Sequence, residues 1–171
     1  MLKTFAKGGV HPAEGKYSAD SAIVILPLPK TVSIPIAQHI GAPSKPIVKK
    51  GDKVKVGDKI AESAGFVSAN IHSSVSGTVS KIDDVLDSTG YKKPCVIIDV
   101  EDDVWNDSID KNTDLNKEIS LDDKEIIQKI NESGIVGLGG ATFPSHVKLS
   151  IPDGKKIDVL IINGVECEPY L

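Results

Sequence analysis

Val48-Lys49-Lys50-Gly51-Asp52-Lys53-Val54-Lys55-Val56-Gly57-Asp58-Lys59-Ile60-Ala61-Glu62 carries two Gly-Asp pairs six residues apart, and the architecture of the chain follows from them. Each pair is a turn signal, because glycine takes positive φ freely and aspartate hydrogen-bonds its own local backbone. Around them Val54, Val56 and Ile60 are spaced by lysines, so short strands can turn their apolar side chains to one face. Further along, Ala69-Asn70-Ile71-His72-Ser73-Ser74-Val75-Ser76-Gly77-Thr78-Val79-Ser80-Lys81-Ile82 again reads as short strand, glycine turn, short strand. From Val32 to about Val100 valine and isoleucine recur in short runs punctuated by Gly and Pro, and helical periodicity is hard to find.

These two halves together resemble the barrel-sandwich hybrid of biotinyl and lipoyl domains, a resemblance that covers about half the chain. Carriers of that family present a lysine at the tip of a hairpin between the halves. Here the equivalent stretch, Ser63-Ala64-Gly65-Phe66-Val67-Ser68-Ala69-Asn70, has none, so a structural or docking module is expected rather than a biotinyl or lipoyl carrier.

Composition narrows the function classes. With 40% hydrophobic and 26% charged residues the chain has the apolar content for a buried core. At 171 residues it exceeds the usual domain of roughly 100–150, so two small domains are as open as one large one. All 20 basic residues are lysine, the net charge is −4, and no guanidinium is present to grip phosphate or guanine in two-pronged fashion. Nucleic-acid binding is not expected. Cys95 and Cys167 match no paired metal spacing, and His11, His39, His72 and His146 read as turn or surface residues, so no metal site is expected. Neither a signal peptide nor a transmembrane span is legible.

The flanks read differently from the centre. Ala22-Ile23-Val24-Ile25-Leu26, stopped by Pro27 and Pro29, is expected to be a strand. Residues 101–118 are acidic and poor in apolar anchors, as a linker is, with Trp105 expected to pin them to a domain. A helix is expected from an N-cap at Ser120, with acids in its first turn, Leu121, Ile126, Ile127 and Ile130 on one face, and Gly134 at its end. The continuous apolar run Ile157-Asp158-Val159-Leu160-Ile161-Ile162 predicts a strand buried on both faces of a parallel sheet, with a ligand at its end.

The chemistry is concentrated between these last two elements. Gly137-Leu138-Gly139-Gly140-Ala141 is dense enough in glycine for backbone to approach a ligand closely and aim amides at a phosphate. It lacks the lysine and Ser/Thr of a P-loop. With Thr142-Phe143-Pro144-Ser145-His146-Val147-Lys148 and, about fifteen residues on, Asn163-Gly164-Val165-Glu166-Cys167-Glu168-Pro169, it resembles the flavin-binding core shared by the C subunit of the Rnf electron transport complex and the NADH-binding flavoprotein of respiratory complex I. Lys7-Gly8-Gly9-Val10-His11-Pro12, Gln38-His39-Ile40-Gly41 and Gly65-Phe66-Val67 make the Rnf protein the closer match, over nearly all of the chain outside the acidic linker. From the complex I pattern the chain departs at Leu138 (an arginine there), Thr142 (a glycine) and Val165 (an aspartate).

The resemblance implies a cofactor site at Gly137, Gly139, Gly140, Ala141, Lys148, Asn163, Glu166 and Glu168. The glycine backbone would wrap the phosphate and ring of FMN, and Lys148 would reach the phosphate or ribityl chain. Asn163 would bond the isoalloxazine edge, with Glu166 and Glu168 on the side of the flavin and NAD(H). The expected architecture is α+β or α/β: a β-rich barrel-sandwich domain over 1–100, a linker over 101–119, and an incomplete α/β flavin- and nucleotide-binding domain over 120–171. The resemblance further implies an NAD-linked oxidoreductase parent in a membrane-bound, ion-translocating electron-transport complex, on the cytoplasmic face. Its partners would be the other subunits and, indirectly, ferredoxin. Its 4Fe-4S clusters would lie in a later segment that these residues lack, and the fragment alone, with no catalytic residue of its own, is expected to be inactive.

Overall fold

Each Gly-Asp pair closes its turn in the same way in the computed structural model of the chain, which describes residues 13, 15–87, 89–114 and 117–162. Asp52 Oδ2 accepts from the Lys49 amide at 2.9 Å, and six residues on Asp58 Oδ2 accepts from the Lys55 amide at 2.7 Å. Gly51 and Gly57 take φ of +93° and +87°. The partners repeat at the same interval. Gly51 N donates to Val79 O while Val79 N donates to Asp52 O, and Gly57 N donates to Ser73 O while Ser73 N donates to Asp58 O. The two Gly-Asp turns are therefore alike in hydrogen-bond pattern as well as in text.

Those turns organise seven strands: β1 (Thr31–Pro35), β2 (Lys45–Pro46), β3 (Lys53–Val54), β4 (Lys59–Glu62), β5 (Ile71–His72), β6 (Ser76–Leu86) and β7 (Lys92–Asp102). They form two antiparallel sheets, ordered β1-β7-β6-β3 and β2-β4-β5. The inward residues of both supply one core. Ile34, Ile36, Val54, Ile60, Ala61, Ile71, Val75, Val79, Val96 and Ile98 pack there, with Ile60, Val79, Val96 and Ile98 fully buried. Each such side chain contributes about 1.5–3 kcal/mol by leaving water. This is the barrel-sandwich architecture expected from the sequence.

Residues beyond β7 belong to this core's surface. Val56 N donates to Val104 O, Asn106 N to Val56 O, and Asn106 Nδ2 to Asp58 Oδ1 at 2.6 Å. A methyl group on Gly57 would meet Ile109 Cδ1 at 2.1 Å, so the acidic stretch lies tightly on the second Gly-Asp turn as far as Ile109.

Two helices follow, α1 (Asp123–Glu132) and α2 (Ser145–Leu149). The N-cap of α1 is Asp122, not the expected Ser120. Asp122 Oδ1 accepts from Glu125 N and Glu125 Oε2 accepts from Asp122 N, a reciprocal box that a cap at Ser120 would have to close with the shorter Asp123. Gly134, at φ +66°, follows the C-cap Ser133.

By contact the chain divides into Leu28–Lys155, which holds everything above, and a second unit of Met1–Pro27 with Lys156–Leu171. In the second unit two expectations are corrected. Ala22–Leu26 and Ile157–Ile162 form no strand, and their apolar side chains are exposed, Ile23 at 98% and Ile161 at 84%. An apolar run becomes a buried strand only where a neighbour supplies its ladder, and no strand among the described residues pairs with either.

Candidate functional site

The glycine-rich loop stands on a short ladder. Ser145 N donates to Ile135 O and Gly137 N to Phe143 O, with Val136 and Pro144 bridged between them. Residues 138–142 project from this closed neck. Among the described residues no acceptor takes their amide hydrogens. A methyl group on Gly139 or Gly140 would touch nothing within 4 Å, so the backbone there faces open space. Leu138 is 96% exposed at its head.

Lys148 comes to the foot of this loop from α2. Its Nζ lies 3.1 Å from where a methyl group on Gly137 would sit, and 6.0 Å from the centre of the Phe143 ring. Pro144 starts α2 with its fixed φ, and within one turn the helix returns Lys148 beside the neck. Gly137 thus leaves room for the close approach of a side chain, while Gly139 and Gly140 leave the backbone uncovered. Of the expected site residues, the structure brings together Gly137, Gly139, Gly140, Ala141 and Lys148. Asn163, Glu166 and Glu168 lie outside the described residues.

Thr142 carries a cost. It takes φ +49°, a left-handed conformation that a β-branched side chain rarely adopts, and its Oγ1 donates to Ala141 O at 2.7 Å. This is the position where the complex I pattern has glycine.

The loop is mounted on the barrel through the hairpin tip between β4 and β5, where a carrier would hold its lysine. Asn70, 8% exposed, accepts from Ser63 N with Oδ1 and donates with Nδ2 to Asn131 O and Glu132 O, capping the last carbonyls of α1. His146 Nε2 lies 3.2 Å from Phe66 O, and the two rings meet edge to face at 6.4 Å between centroids. His146 is 7% exposed, so the expectation of a turn or surface histidine is corrected. Its partner is eighty positions earlier in the chain, and no local pattern announces that. His72 bonds the Glu132 backbone, and burial, with the Lys59 charge, holds its pKa below the usual histidine value.

Residues 3–103 match the RnfC barrel sandwich hybrid domain. The chain belongs to that family. Residues 130–171, which begin in α1 and include the loop and Lys148, match the Nuo51 FMN-binding domain. Among curated relatives, the C subunit of the proton-translocating ferredoxin:NAD(+) oxidoreductase complex of Clostridium ljungdahlii is 51% identical over 173 residues, covering 100% of this chain and 37% of the relative. The Na(+)-translocating counterpart from Acetobacterium woodii is 44% identical, covering 96% and 37%. The C subunit of the ion-translocating oxidoreductase complex of Rhodobacter capsulatus is 39% identical, covering 99% and 33%. The chain thus spans little more than a third of these relatives. No helix among the described residues is long and apolar enough to cross a membrane.

Proposed function

We propose that this chain is the barrel and flavin-cradling portion of the C subunit of a membrane-bound, ion-translocating ferredoxin:NAD oxidoreductase. The observation that carries the reading is Lys148 Nζ against Gly137 at the foot of a loop whose amides have no acceptor among the described residues. That donor set fits the phosphate of FMN: amides of residues 138–142 would donate to its oxygens and the ammonium would balance its charge. Asn163 would bond the ring edge, and Glu166 and Glu168 would face the nicotinamide side. Bound FMN would supply the junction between two-electron NAD(H) and one-electron iron-sulfur centres. The protein's own part is to hold and orient. The 4Fe-4S clusters we assign to the portion of the relatives beyond this match, because such a cluster takes more thiolates than the two cysteines of this chain, and Cys95 is buried with its thiol pKa raised by that burial. Peripheral placement on the cytoplasmic face, other subunits as partners and ferredoxin as an indirect one complete the proposal, with this portion alone inactive.

Titration of FMN into the chain, followed by flavin fluorescence, tests it. Saturable quenching is expected, and Lys148→Ala should weaken the apparent Kd by about tenfold, the loss of one charge-assisted contact. Absent quenching, or a Kd unmoved by the substitution, would overturn it. A second reading, a module that docks other subunits, draws on Leu138, exposed where the complex I pattern has arginine. If it holds, Leu138→Arg releases the chain from its complex while leaving FMN affinity intact.

A further inference from the structure

Lysine is spread unevenly over the barrel. Residues 45–59 carry six lysines against two aspartates, a surplus of four positive charges in a chain whose net charge is −4. Two of the six are answered in place, Lys53 by Glu101 at 2.6 Å and Lys55 by Asp107 at 3.0 Å. Lys45, Lys49, Lys50 and Lys59 are exposed and enter no ion pair among the described residues. The aspartates of the segment are turned elsewhere: Asp52 and Asp58 accept from the Lys49 and Lys55 amides, and Asp58 also from Asn106 Nδ2.

These lysines surround an apolar point. Ile47 continues β2 alongside β4, its amide donating to Ile60 O at 3.0 Å. Exposure alternates along this stretch, so Lys45, Ile47 and Lys49 share the outer face while Pro46 and Val48 turn inward. Ile47 is 46% exposed between its two lysines. Beside it a concavity of about 510 Å³ is lined by Ile47, Val48 and Val54 together with Lys53, Lys59 and the two turn aspartates. We propose that this face of the barrel docks an acidic polypeptide, a partner chain that seats one apolar side chain against Ile47 and lays its carboxylates on Lys45, Lys49, Lys50 and Lys59. Charge complementarity selects the partner's sign and the concavity selects its form. An anionic bilayer has the same sign but presents a flat surface, and no aromatic side chain lines this face to anchor in one. The face belongs to the barrel, so the proposal stands whether or not the chain binds FMN.

The test uses the whole chain and a short fluorescein-labelled peptide of glutamates around a single leucine. Anisotropy should rise saturably, and raising the salt from about 50 to about 500 mM should weaken binding roughly tenfold. A peptide with serine in place of leucine should bind several-fold more weakly, and one with lysines in place of the glutamates should not bind. Lys49→Glu combined with Lys59→Glu, checked for folding by circular dichroism, should weaken binding roughly tenfold or more. Ile47→Ser should remove the preference for leucine over serine and keep the salt dependence. No saturable binding at concentrations on the order of 1 mM, equal binding of the leucine and serine peptides, or undiminished binding by the charge-reversed chain would overturn the proposal. Vesicles of phosphatidylcholine and phosphatidylglycerol should leave the peptide bound; its displacement by them would assign the face to a membrane and overturn the proposal too. Should a variant not fold, the leucine, serine and lysine peptides on the unaltered chain decide.

Discussion

The barrel and the glycine loop use the same residue for opposite ends. In the barrel, positive-φ glycines let two pieces of backbone close on each other: a methyl group on Gly77 would lie 2.1 Å from Asp99 O, and one on Gly41 2.1 Å from Val67 O. In the loop, Gly139 and Gly140 let the backbone stay uncovered. One region has its hydrogen bonds closed internally, and the other keeps donors in reserve. A glycine cluster becomes a candidate site only when its amides have nowhere else to go.

Gly134 and Gly140 make the sharpest version of that contrast, because both take φ near +60°. At Gly134 a methyl group would also sit 2.2 Å from Asn70 O, whereas at Gly140 it meets nothing. Gly134→Ala should therefore cost about 3 kcal/mol or more in denaturant unfolding, against about 1 kcal/mol for Gly140→Ala. Equal costs would mean that the mount and the loop are not different in kind.

Cutting the joint between the regions comes next in size. Asn70→Ala removes three hydrogen bonds and leaves two helix carbonyls unsatisfied, and should cost about 2 kcal/mol. Hydrogen exchange should show α1 loosened with the barrel core still protected. Thr142→Gly works the other way. Relief of its left-handed strain, partly offset by the freedom glycine gains when unfolded, should stabilise the chain by up to about 1 kcal/mol in a thermal melt.

The smallest effect is in pH. His72 has its pKa below the unfolded value near 6.5, so the folded state disfavours the proton. Its contribution to stability is complete above that value and declines as pH falls below it toward the folded pKa. His72→Gln should flatten the loss of melting temperature between pH 7 and pH 5, and an unchanged slope would remove His72 from the joint.

Legibility follows the range of the interactions. Gly51-Asp52 and Gly57-Asp58 are readable because each turn is closed within three residues, and with them comes the barrel. The end of α1 at Gly134 is readable for the same reason. Its start lies two residues beyond the hydroxyl at Ser120, which looks like a cap until the reach of Glu125 is weighed. The glycine loop is visible in the sequence, and family resemblance links Lys148 to it, but the distance to Gly137 depends on how Pro144 sets α2. The burial of His146 and the capping role of Asn70 rest on partners 80 and 61 positions away, which no local pattern encodes. Ile157–Ile162 departs in the opposite sense: its composition suits a sheet interior, but composition supplies no neighbouring strand.

The capping contact from Asn70 to Asn131 has a consequence for order of assembly. Synthesis runs from the amino end, and an early domain folds as a unit while later residues are still being added. Every strand of the barrel that presents Asn70 is synthesised before α1, so the surface that meets the helix's terminal carbonyls is encoded wholly upstream of the helix.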